Sequence, residues 1–137
     1  MFTLDKLTKG QVFDLERLLG TIPPKDVPTL EEMKQLSKLR KKLAESVSVI
    51  TTTIAELQEF LKPMREAKAS DEEMNTAAQS RFDTIGGLRG EAVSVELSED
   101  QANCFRRWFT AKLKDSISSV EAYLLVAEAI GVEGAGE

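Results

Sequence analysis

The chain contains no histidine. That absence removes the Ser-His and Cys-His nucleophile pairs, the commonest zinc ligand and the one side chain that titrates unperturbed near neutral pH. A single cysteine, Cys104, rules out an intramolecular disulfide, so a cysteine-stapled secreted scaffold is excluded and a reducing compartment is expected. Aromatics are scarce, at 6%. The core must therefore be built mainly from Leu, Ile, Val, Met and Ala, the residues that helix-helix packing uses. No stretch approaches the ~18 consecutive apolar residues of a membrane span. The N-terminal MFTLDKLTKGQVF lacks a basic region followed by an apolar run, so no signal peptide is expected. These absences predict a soluble cytoplasmic protein without membrane contact, cofactor or metal.

What remains is an ordinary globular balance: 137 residues, 42% hydrophobic and 30% charged, with a net charge of -5. That size suits one domain, expected over residues 1–131 with a flexible tail at 132–137. The acidic total argues against non-specific nucleic-acid binding over the whole surface and leaves room only for a local basic face.

Helix starts recur along the chain as capping boxes: Thr8 with Gln11, Thr29 with Glu32, Ser70 with Glu73 and Ser98 with Gln101. They open two short helices, over about 9–19 and 71–85, and two long ones, over about 30–61 and 99–130. The prolines of 21–28 separate the first two, and Pro63 kinks or ends the second. In 30–61 the apolar stripe moves from Leu36, Leu39 and Leu43 to Val47, Ile50, Ile54, Leu57 and Leu61. Ser46 and Thr53 interrupt the heptad, a drift expected of a straight 3.6-residue helix. In 99–130 the stripe Ala102, Phe105, Phe109, Leu113, Ile117, Val120, Leu124, Ala127 and Ile130 advances by threes and fours, giving one continuous face. Gly131 stops it. Val93, Val95 and Leu97 alternate within 92–97, which suits at most one short extended segment that could pair with the Phe2–Leu4 arm or with a second copy of the chain, or lie extended over the bundle. The expectation is a mainly α fold, an antiparallel bundle whose spine is the second helix against the fourth.

Three clusters invite a functional reading. Gly86, Gly87 and Gly90 flank Arg89, and backbone amides in a Gly-rich turn can cradle an anion. The cluster lacks the Gly-Lys-Ser/Thr ending of a phosphate loop and the spacing of a dinucleotide turn, and its plain alternative is a helix stop. Lys38, Arg40, Lys41 and Lys42 form a basic run beside the Leu36/Leu39/Leu43 stripe, suited to phosphates or an acidic partner, or simply to a solvated face. Arg106, Arg107 and Trp108 with Lys112 combine the residue types enriched at binding hot spots. They make an anchor if Trp108 is exposed, and otherwise Trp108 is a core residue with its indole N–H bonded to a carbonyl. Cys104 lies near a helix start and two arginines, yet without a histidine base it reads as a small buried hydrophobe.

No catalytic constellation emerges, so an enzyme is not expected. The leading expectation is a helical protein-protein interaction or assembly protein, with a protein partner or self-association into a homo-oligomer. In its general character (small, acidic, helical, without motifs) the chain is similar to accessory and inhibitor proteins of phages and mobile elements. The alternatives are an oligomer that sequesters an anionic, nucleotide-like molecule at subunit junctions, and a nucleic-acid-binding accessory protein.

Overall fold

A computed structural model describes residues 2–117 and 119–132. The expected residues 133–137 of the tail lie outside the described residues. Val132, the first residue of that expected tail, is half-buried against the core, and its N–H donates to the Ala127 carbonyl.

The fold is mainly α with one two-stranded sheet. Strand β1 (Phe2–Leu4) is followed by α1 (Lys9–Leu19), α2 (Leu30–Ser46), α3 (Ser48–Glu66), α4 (Asp71–Arg89), β2 (Val95–Leu97), α5 (Glu99–Trp108) and α6 (Val120–Ile130). The predicted helix starts are all used. At Thr8 and Ser98 both halves of the capping box form. Thr29 and Ser70 cap with their own hydroxyls, accepting from the N–H of Glu32 and Glu73. A 3-10 turn at Pro24–Asp26 sits in the proline-rich connection, which drops Val27 into the core. The extended segment does pair: β1 and β2 run antiparallel with Phe2 opposite Leu97 and Leu4 opposite Val95. Alternation puts Val93, Val95 and Leu97 inward.

The expected spine is present, with α2 packed on α5 and α1 laid across α2. Leu36, Leu39, Leu43, Phe105, Phe109 and Leu113 meet in one core with Leu4, Val12 and Leu15.

Both long helices are broken, which corrects the predicted 30–61 and 99–130 spans. Helix 30–61 divides at Val47, whose ψ of 21° leaves the helical range. The Ser46 hydroxyl turns back to the Leu43 carbonyl at 2.6 Å, competing with the helical ladder. The stripe's shift at Ser46 and Val47 is thus a change of partner rather than helical drift: α2 faces α5, and α3 faces α4. Pro63 does not end α3, which runs on to Glu66. The 99–130 helix stops at Trp108, passes through a π turn (Phe109–Leu113) and a 3-10 turn (Lys114–Ser116), and restarts at Val120. The Ser119 hydroxyl caps α6 by accepting from the Ala122 N–H at 3.0 Å. Helix α6 then folds back antiparallel on α5: Phe109 stacks on Tyr123 with ring centroids 4.9 Å apart. The 71–85 helix is longer than expected, continuing through Gly86 and Gly87 to Arg89.

Candidate docking surface

Helix α3 begins on the core and leaves it, and α4 returns along α3 to the core. At their base Ile50, Ile54 and Leu88 belong to the main core. Beyond it the buried residues are Leu57, Leu61 and Ala78, with Met64, Met74 and Ile85 partly covered, and all six belong to α3 and α4. The two helices form an arm that extends about 20 Å past the core, at ~1.5 Å per residue. The sequence builds this arm by placing Leu57 and Leu61 one turn apart, opposite a single small residue, Ala78.

Two antiparallel helices can cover only one stripe of each other. The arm accordingly leaves two large aromatics in solvent: Phe60 is 38% and Phe82 41% exposed. The Arg81 guanidinium lies over the Phe60 ring, 4.1 Å from its centroid, a cation-π contact that shields one face of it. Phe82 borders a cleft of about 430 Å³ floored by Leu57, Leu61 and Met74 and rimmed by Gln58, Arg65, Asp71 and Asn75. The Arg65 guanidinium donates to the Gln58 side-chain oxygen at 2.6 Å along α3, leaving the apolar floor open. An apolar floor with a polar rim and an aromatic at its edge is the anatomy of a protein interface.

Of the candidate site residues singled out in the sequence, only Gly86, Gly87 and Arg89 lie on these helices, at the base of α4. Gly86 and Gly87 are helical, and a methyl group on either would meet nothing within 4 Å. Gly90 closes the helix in a right-handed conformation, its N–H bonded to the Gly86 carbonyl. Of the two readings of this cluster, the helix stop is the one seen, at Gly90, and Gly86 and Gly87 lie within the helix rather than in an anion-cradling turn. Arg89 is ion-paired with Asp14 at 2.6 Å and packs over buried Gly10.

The basic run is likewise dispersed. Arg40 pairs with Glu16 at 3.0 Å. Lys38 borders a shallow cleft that also holds Glu31 and Asp100. Lys41 is exposed and Lys42 half-buried. The Arg106–Lys112 group does not form the expected patch either. Arg106 points to the end of α6, where its Nε donates to the Ile130 carbonyl at 2.7 Å, its Nη1 donates to the Asn103 side chain, and its guanidinium lies over Phe2. That cation completes the negative end of the α6 dipole. Lys112 reaches Asp26 at 3.3 Å. Trp108 is core, only 5% exposed, so the anchor reading is corrected. Its expected carbonyl partner is also missing: Nε1 is buried with no hydrogen-bond partner among the described residues. Arg107 stays exposed on the surface, and its positive charge favours the ionised form of the Cys104 thiol. Burial nonetheless pushes that thiol above its ordinary pKa, outweighing the guanidinium.

The charged and glycine clusters drew attention away from Phe60 and Phe82. The signal for them is the poverty of the opposite stripe: the residue that α4 buries against Leu57 and Leu61 is Ala78, too small to cover two phenylalanines. No helix among the described residues is long and apolar enough to cross a membrane. Neither family models, nor curated protein sequences, nor solved structures match this chain.

Proposed function

We propose that this is a non-enzymatic interaction protein that docks on a partner protein through the α3–α4 arm. One observation carries the reading: the arm leaves the core and exposes two large aromatics, Phe60 under Arg81 and Phe82 at the edge of a cleft with an apolar floor and a polar rim. A two-helix arm held by Leu57, Leu61 and Ala78 adds little stability to the domain that bears it, so its length needs another reason. Exposed aromatics rimmed by polar side chains fit a helix laid into the cleft or a flat partner face. Of the charged residues expected to recognise an anion or nucleic acid, Arg40, Arg89, Arg106 and Lys112 are engaged in contacts that hold the elements of the fold together, which divides the expected basic patches.

The test is a pull-down from extract of the source cell with the wild type and with the double variant Phe60→Ser/Phe82→Ser. Both substitutions are at exposed positions, so thermal stability should change by no more than ~1 kcal/mol. The reading requires that a protein retained by the wild type be lost from the double variant. Equal retention by the two chains would refute it.

A further inference from the structure

We infer that α6 is exchangeable between two copies of this chain, the closed α5–α6 hairpin opening into one straight helix that pairs antiparallel with its counterpart. This is independent of the arm and of its partner.

Three observations support the exchange. First, no glycine or proline lies anywhere between residues 91 and 130, so nothing in the covalent chain demands the break between α5 and α6. The chain turns through a π segment at Phe109–Leu113 and a 3-10 segment at Lys114–Ser116 rather than through a glycine turn. Both are local distortions of a helix that its residues could otherwise continue. The buried Trp108 Nε1, without a hydrogen-bond partner among the described residues, sits at the residue where regular helix gives way.

Second, the closed hairpin wastes part of the apolar stripe that runs unbroken from Ala102 to Ile130. Val120 is 71% and Leu124 37% exposed, although both belong to that stripe. Straightening the segment returns them to the face that carries Phe109 and Leu113.

Third, the hairpin already has the register of a symmetric antiparallel pair. Arg106 meets Ile130, and Phe109 meets Tyr123. Both pairs straddle the 116–118 segment symmetrically. Two straight copies related by a two-fold axis at that segment would make the same pairs between chains. They would add Val120 against Leu113 and Leu124 against Phe109 of the other copy. Both of these α5–α6 pairings, broken when the hairpin opens, are thus re-formed across the dimer, as domain exchange requires. The second copy is the occupant that the stripe's self-complementarity specifies.

The experiment is light scattering after size-exclusion chromatography, on chains refolded at low and at high concentration. Beside the wild type stand a variant with three glycines inserted between Ser116 and Ile117, and the double variant Ser116→Ala/Ser119→Ala. The insertion relaxes the hairpin's turn and forbids a continuous helix, while its added loop entropy is small. The double variant removes the α6 cap and raises helix propensity through the break, favouring the straight form by about tenfold or more in dimer fraction. The expected result is a wild-type dimer that grows with refolding concentration, rises in the alanine variant and disappears in the insertion variant. A wild type that stays monomeric at every concentration would overturn the proposal, and so would a dimer that survives the insertion.

Discussion

Replacing Trp108 with phenylalanine should cost far less than its burial suggests. The side chain is almost wholly removed from solvent, and its Nε1 is fully enclosed without a hydrogen-bond partner among the described residues. An enclosed, unpaired N–H costs about 1–3 kcal/mol. Trp108→Phe removes that group and leaves a space of about 40 Å³, worth ~1 kcal/mol at ~24 cal/mol per Å³, with about 1 kcal/mol more for lost apolar burial. The opposing effects nearly cancel, so the net change should fall within about 1 kcal/mol of zero. Trp108→Ala has no such compensation for its much larger cavity and should cost about 3–5 kcal/mol. Urea unfolding followed by circular dichroism at 222 nm, since the only tryptophan is lost, measures both. Unchanged slopes against urea would confirm that the midpoint shifts report stability. A loss above ~3 kcal/mol for Trp108→Phe would refute the reasoning, because it would mean that the indole N–H holds a partner in solution.

The same substitution at three glycines should have opposite signs. Gly86→Ala and Gly87→Ala add helix propensity with nothing within 4 Å to resist, and each should stabilise by about 0.5–1 kcal/mol. Gly10→Ala places its new carbon 2.8 Å from the Arg89 Cβ, so it should destabilise by about 1–2 kcal/mol despite the same propensity gain, as thermal unfolding would show. Gly131 closes α6 at φ 80° against the Arg106 guanidinium, and Gly131→Ala should lower stability by about 1–2 kcal/mol in the same assay. The raised Cys104 pKa stabilises the fold only below the ordinary thiol pKa. Above it the unfolded chain ionises first, so stability should fall as pH rises beyond about 9. Cys104→Ala should flatten that slope, and Cys104 should react with a thiol reagent in native protein far more slowly than in urea.

The signals of helix initiation were legible because they are local: a hydroxyl three residues before its own amide partner needs no tertiary information. The β pairing was likewise open to inference, since alternation in 92–97 requires a second strand and Phe2–Leu4 was at hand. The breaks were not, because each depends on what the helix packs against. Val47 and Ser46 carry a stripe shift that fits both helical drift and a change of partner, and only the positions of α5 and α4 decide between them. At 109–119 the stripe is continuous, so periodicity favours the straight helix that the fold gives up. Ser116 and the Ser119 cap were the only local hints. The functional residues were hardest to see: Arg106 and Trp108 have the composition of a hot spot, but the C-terminus of α6 needs a cation and the core needs a large ring. Nothing in the sequence marks Phe60 and Phe82 as exposed, because it does not show that α3 and α4 outrun the core.

The central claim is that the arm meets a partner. A photo-reactive phenylalanine analogue, placed singly at Phe60, at Phe82 and at the exposed Leu30, which lies outside both the arm and α6, tests it inside the source cell. The account predicts a covalent adduct of one discrete mass from positions 60 and 82 and none from 30. An adduct from position 30 alone, or none from the arm, would contradict it.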